Sequence, residues 1–174
     1  MKENTITIKS LNDLFHYDMS TFSIAEIKLS HILPIWASKV GSIKLKTVLC
    51  KYENLINQNV EKMEPFLFEE SINSLALTHT IMDAFIEQTN EKLSFCTDTE
   101  IKDACLLACI QNINHFKISI YGTAASFANT LGLKDQSSFF YEAEESEKNI
   151  DTLLSQIAEQ EINYRARTPF AISK

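Results

Sequence analysis

The sequence predicts an all-α protein, a four-helix bundle with one long crossover that contains a shorter fifth helix. Three observations carry this expectation. The 174 residues include only three Gly and three Pro, too few turn formers for a many-stranded β architecture. Apolar residues recur at three- and four-residue spacing through four long stretches, as one buried helix face requires. Between the second and third stretches, residues 66–96 form a link with a weaker pattern.

The elements follow in chain order. Ser10 with Asp13 three residues on has the form of a capping box. From Leu11 the apolar positions run Leu14, Phe15, Met19, Phe22, Ala25, Leu29, Leu33 and Trp36, a helix expected to reach about Val40 with a kink before Pro34. Gly41 is expected to stop it and Ser42 to cap the next. The second helix carries Leu45, Val48, Leu49, Tyr52, Leu55, Ile56, Val60 and Met63 on one side and should end near Pro65. In the crossover, Leu75, Leu77, Ile81, Met82, Phe85 and Ile86 predict a shorter helix from about Ser71 to Thr89. Thr97 with Glu100 suggests a second capping box, and the chain from Ile101 to Leu131 reads as apolar almost all round, closing on Gly132. Asp135 is placed to cap the last long helix, whose stripe is Phe139, Phe140, Ala143, Glu147, Ile150, Leu154 and Ile157. Two helical hairpins joined by a long link have the connectivity of a ferritin-like bundle.

Composition narrows the function. With 45% hydrophobic and 22% charged residues the chain is too apolar for disorder, and its length suits one domain, 1–174, with a core of about 10–163 and a tail at 164–174. A net charge of −7 leaves no basic stripe for phosphates, so no nucleic-acid partner is expected. No apolar run is long enough to span a membrane and MKENTITIKS has no apolar signal core, which predicts a cytoplasmic protein with no membrane partner. Cys50, Cys96, Cys105 and Cys109 form no CxxC pair and read as small buried hydrophobes. His16, His31 and His79 lack HExxH or ExxH spacing and default to the surface. No phosphate-binding Gly loop occurs, and local spacing assembles no nucleophile, base and acid.

Polar residues inside the stripes are the candidate site. Glu26 lies four residues after Phe22 and three before Leu29, and Glu147 lies between Ala143 and Ile150 with Asp151 one turn on. A carboxylate buried there must be paired, hydrogen-bonded or bound to metal; one at the stripe's edge reaches water instead. On the third long helix Asn114, Lys117 and Tyr121 share a face at i, i+3 and i+7, while His115 points about 100° away. Lys117 either snorkels outward or turns in, and an inward ammonium about 4 Å from a divalent cation would be repelled by roughly 8 kcal/mol at an effective dielectric of 20. Turned in, it can pair with Glu26 and Glu147.

The segment DACLLACIQNINHFKISIYGTAASFANTLGLKD, residues 103–135, resembles the third long helix and following turn of the YciE/YciF-type ferritin-like proteins, and AEIKLSHILPIWA resembles their first helix. The resemblance implies a bundle interior with carboxylates and a histidine for two metal ions, an association with bacterial stress responses, and a homodimer. It maps the metal positions onto Glu26, His115, Glu147 and Asp151 as a former or residual set. The sequence departs from the pattern where Tyr52 and Leu55 replace a second-helix His-x-x-Glu, and where Asn114 and Lys117 replace two third-helix glutamates. The expected outcome is a non-catalytic structural or stress-associated binding protein with no cofactor. In it a degenerate dimetal site becomes a buried ion pair of Lys117 with Glu26 and Glu147, supported by Asn114 and Tyr52. The alternative is a metalloprotein that keeps one or two iron or manganese ions and performs oxidase or peroxide chemistry.

Overall fold

The computed structural model describes residues 7–67 and 79–167, and every regular element among these is helical. Helix α1 spans Leu11–Ala37 and α2 spans Ile43–Met63, followed by a 3₁₀ turn at Glu64–Phe66. The crossover helix α3 is Thr80–Phe95. Then come α4, Thr99–Thr130, and α5, Lys134–Ile157, continued by a π-helical turn at Ala158–Ile162 and a last short helix α6 at Asn163–Ala166.

Local chemistry explains most of the boundaries. The Ser10 hydroxyl accepts the Asp13 amide while the Asp13 carboxylate accepts the amide of Lys9, so the box closes one residue further out than the reciprocal form. Ser42 caps α2 by accepting from the Leu45 amide. At Gly132 the backbone turns to φ +74°, where the absence of Cβ removes the steric penalty, and α4 stops.

Several sequence expectations need correction. Helix α1 runs through Pro34 but closes at Ala37, short of Val40, and Gly41 does not adopt a positive φ. Room is the reason for Gly41: a Cβ there would lie 2.2 Å from the Thr99 methyl. Helix α3 extends to Phe95 rather than Thr89, while Ser71, Leu75 and Leu77 lie outside the described residues. Asp98, not Thr97, caps α4, accepting from the Ile101 amide. Asp135 falls inside the first turn of α5, whose cap position is Leu133. Helix α4 is not buried all round, for Asn112, His115, Ser119, Thr123 and Ser126 line an exposed stripe along it. Of the cysteines only Cys109 is buried. The expected tail still forms helix through Ala166, with Arg165 paired to Glu161 one turn back, and residues 168–174 lie outside the description.

The four long helices close a ring in which α1 packs on α2 and α4, and α5 packs on α2 and α4. Their directions follow from two polar ties at one end. The Asp103 carboxylate, in the second turn of α4, accepts the amides of Gly41 and Ser42 at 2.9 and 2.8 Å, and the Ser42 hydroxyl donates to Glu161 beyond α5 at 2.8 Å. The starts of α2 and α4 therefore share an end, and the two helices run parallel. The crossover must return the length of the bundle, and α3 makes that return against α4 and α1. At the other end Phe15, Phe66 and Phe140 meet with ring centroids 5.5–5.8 Å apart.

Candidate functional site

The middle of the ring holds a polar cluster with one contribution or more from each long helix. Glu26 comes from α1, Tyr52 from α2, Asn114, Lys117 and Tyr121 from α4, and Glu147 from α5, and all six are 0% exposed. Each lies at a helical repeat of its own apolar stripe, so the folding that buries Phe22, Leu29, Ile113 and Ile150 carries these side chains inward too.

Lys117 Nζ stands 3.1 Å from Glu26 Oε1 and 2.7 Å from Glu147 Oε1. The Glu147 carboxylate has a partner on each oxygen, although Oε1 meets the Lys117 ammonium at ion-pair distance without hydrogen-bond geometry. Its Oε2 accepts from the Tyr52 hydroxyl at 2.8 Å and from Asn114 Nδ2 at 2.6 Å, and Asn114 Nδ2 also reaches the Glu147 carbonyl at 3.1 Å. Glu26 is served less well. Tyr121 donates to Oε1 at 3.0 Å, while Oε2 is buried with no hydrogen-bond partner among the described residues. The ammonium also lies 4.7 Å from the Tyr52 ring centroid.

The electrostatics follow from this arrangement. Burial pushes the Glu26 carboxyl up, Lys117 opposes that, the Glu147 charge adds to it, and the result is about 7. Burial works against the Lys117 charge, but Glu147 and Glu26 outweigh it and hold the group above its ordinary value, a permanent ammonium at neutral pH. Burial first, and the two carboxylates second, keep Tyr52 and Tyr121 well above the usual phenol range, so both act as neutral donors.

The other candidates sit elsewhere. His115 is exposed on the outer stripe, its Nε2 3.1 Å from Asp151 Oδ1, and Asp151 also accepts from Gln111 at 3.2 Å. The structure thus brings Glu26 and Glu147 together and leaves His115 and Asp151 as a separate pair nearer the surface. Among the described residues no three His, Cys, Asp or Glu side chains gather as a metal-holding group. A pair of divalent ions does not fit these residues, because an ammonium already lies against the two inner carboxylates and Tyr52 and Asn114 supply neutral donors. Leu55 packs against the core as a partly buried aliphatic side chain.

Two residues make contacts that the sequence does not assign. Tyr121 shares the face of Asn114 and Lys117, and that spacing was the available signal for its bond to Glu26. His79, expected at the surface, is the N-cap of α3: its Nδ1 accepts the Met82 amide at 3.1 Å and its ring meets Phe116 edge-on. Burial holds the imidazole below its ordinary pKa. Cys105 is no activated nucleophile, since burial, with the Cys109 and Cys96 thiols beside it, pushes its thiol up to about 12.

Comparison with known proteins places this architecture. Residues 10–167 match the family described as "Domain of unknown function (DUF892)". Protein YciF of Escherichia coli K12 is 26% identical over 162 residues, spanning 92% of this chain and 98% of the relative. The crystal structure of that protein, described as an E. coli stress protein, superposes with a TM-score of 0.76 at 28% identity, covering 90% of this chain and 99% of the other. YcfI of Rhodopseudomonas palustris, described as a proposed structural protein, shares the fold with a TM-score of 0.78 at 21% identity, covering 91% and 99%. The chain belongs to the DUF892 family.

Proposed function

We propose that this family member is a ferritin-like bundle whose dimetal site has become an internal ion-pair cluster, and that it acts as a non-catalytic structural or stress-associated binding protein, a cytoplasmic homodimer. The observation that carries the reading is Lys117, wholly buried with its ammonium against both Glu26 and Glu147. In a ferritin-like bundle the inner carboxylates of facing helices commonly hold metal. Here the same kind of position is partly compensated by a side chain that needs no ion supply. The parallel α2 and α4 joined by a crossover support the ferritin-like assignment, and the likeness to a protein described as a stress protein supports the class of role.

Most of the cluster is held out of acid–base chemistry, and Glu26 is its one group raised into the neutral range. The tyrosines are held neutral, the ammonium is engaged, and Tyr52 and Asn114 close the Glu147 carboxylate. What the arrangement does is fix four helices in one register, since each side chain finds its partner in only one alignment. The competing reading, retention of one or two iron or manganese ions with oxidase or peroxide activity, differs in metal content. Protein purified from cells supplied with both metals should carry well below about one equivalent per chain; a stoichiometry near two would overturn the proposal.

A further inference from the structure

A cleft of about 630 Å³ opens between the C-terminal ends of α1 and α3 and the first turns of α4, well away from the polar cluster. Its size is that of an ordinary small-molecule site. Ile32, Val40, Leu93 and Leu106 give it an aliphatic lining, and Lys39 and Lys102 stand in its wall. Among the described residues neither lysine has a carboxylate at ion-pair distance. The acid beside them, Asp103, is turned onto the amides of Gly41 and Ser42, which take up its charge. The cleft is thus cationic and apolar at once, in a chain whose net charge is −7.

We propose that this cleft binds a single-chain amphiphilic anion, with the alkyl chain on the aliphatic lining and the carboxylate against Lys39 and Lys102. Each half recognises one part of such a ligand, and the two together favour it over either alternative. A small hydrophilic anion would leave the lining wet, and a neutral hydrocarbon would leave two ammonium groups without a counter-charge. The attraction is partly exposed, so it adds modestly to affinity and weakens with salt.

Decanoate is the probe, titrated calorimetrically into the full chain below its micellar concentration, with 1-decanol as the uncharged comparator. Saturable decanoate binding is expected, and Lys39→Met with Lys102→Met should weaken it about tenfold while leaving 1-decanol unchanged. Ile35→Glu, at a wall position already 52% exposed and so tolerant of a charge, should weaken decanoate similarly if the lysine pair proves hard to fold. Lys46→Met with Lys51→Met, at exposed positions on α2 that do not line the cleft, should leave the affinity as it was. The inference is overturned by absence of saturable binding, by equal loss in the α2 control, by indifference to the cleft variants, or by binding only to anionic phospholipid vesicles.

Discussion

Two carboxylates and one ammonium leave the buried cluster one negative charge in excess when all three are ionised, and Glu26 is where the excess is felt. Its Oε2 has no hydrogen-bond partner among the described residues, and burial raises its carboxyl from 4.5 to about 7. A raised carboxyl contributes stability in full below the unfolded value of 4.5, and that contribution is lost as pH rises through about 7. Chemical denaturation across this window should show wild type losing roughly 3 kcal/mol relative to Glu26→Gln, which cannot ionise. Parallel pH profiles of the two proteins would contradict the assignment. Much of the cluster is legible in the sequence because a helical stripe dictates direction: Glu26 sits between Phe22 and Leu29, and Glu147 between Ala143 and Ile150. His115 lies about 100° round the helix from Asn114, and it faces outward while Asn114 faces in. Which donor serves which oxygen was not legible, because partners from different helices meet only after packing.

Caps and turns are legible in the sequence wherever one side chain alone satisfies an open backbone group. Ser10 and Ser42 are readable as caps because a hydroxyl there satisfies an amide left open by the helix. Asp98 outcompetes its neighbour Thr97, a one-residue choice between two good caps that local sequence does not decide. The sequence position of Gly41 predicts a helix stop, whereas the α4 side chain packed against it sets the requirement. Gly41→Ala should therefore destabilise the protein by about 1–3 kcal/mol as an overpacked contact. Thr99→Ser, which removes the opposing methyl, should recover much of that loss, and a double-mutant cycle in urea would measure the coupling; strict additivity would refute the contact. His79 gives a second element-scale test. A neutral imidazole accepts the Met82 amide, and its lowered pKa means this stability is present above 6.5 and lost as pH falls below it. The protection factor of the Met82 amide, with the intrinsic exchange rate divided out, should fall as pH drops below 6.5 in wild type but not in His79→Asn, which keeps an acceptor that does not titrate. An equal fall in both would rule out the histidine as the titrating cap.

For the whole molecule, the order of two hairpins and a crossover was legible because four amphipathic stretches leave few other ways to bury their faces. The extent of the crossover helix was not, since α3 is shorter than the long helices and gains its place by packing on α4 and α1. The apolar reading of α4 also failed at this scale, because a helix that touches three neighbours needs apolar surface on most of its circumference yet still shows water one polar stripe. A buried ion pair adds little net stability over an apolar core, but removing one member is costly because the other charges stay behind. The buried cluster therefore depends on Lys117 as the internal counter-charge of the bundle. Urea unfolding of Lys117→Met at neutral pH, compared with wild type, is the most direct measurement. A loss of about 3–5 kcal/mol, or failure to fold, is the predicted result. A change within about half a kcal/mol, as for a surface lysine, would contradict it.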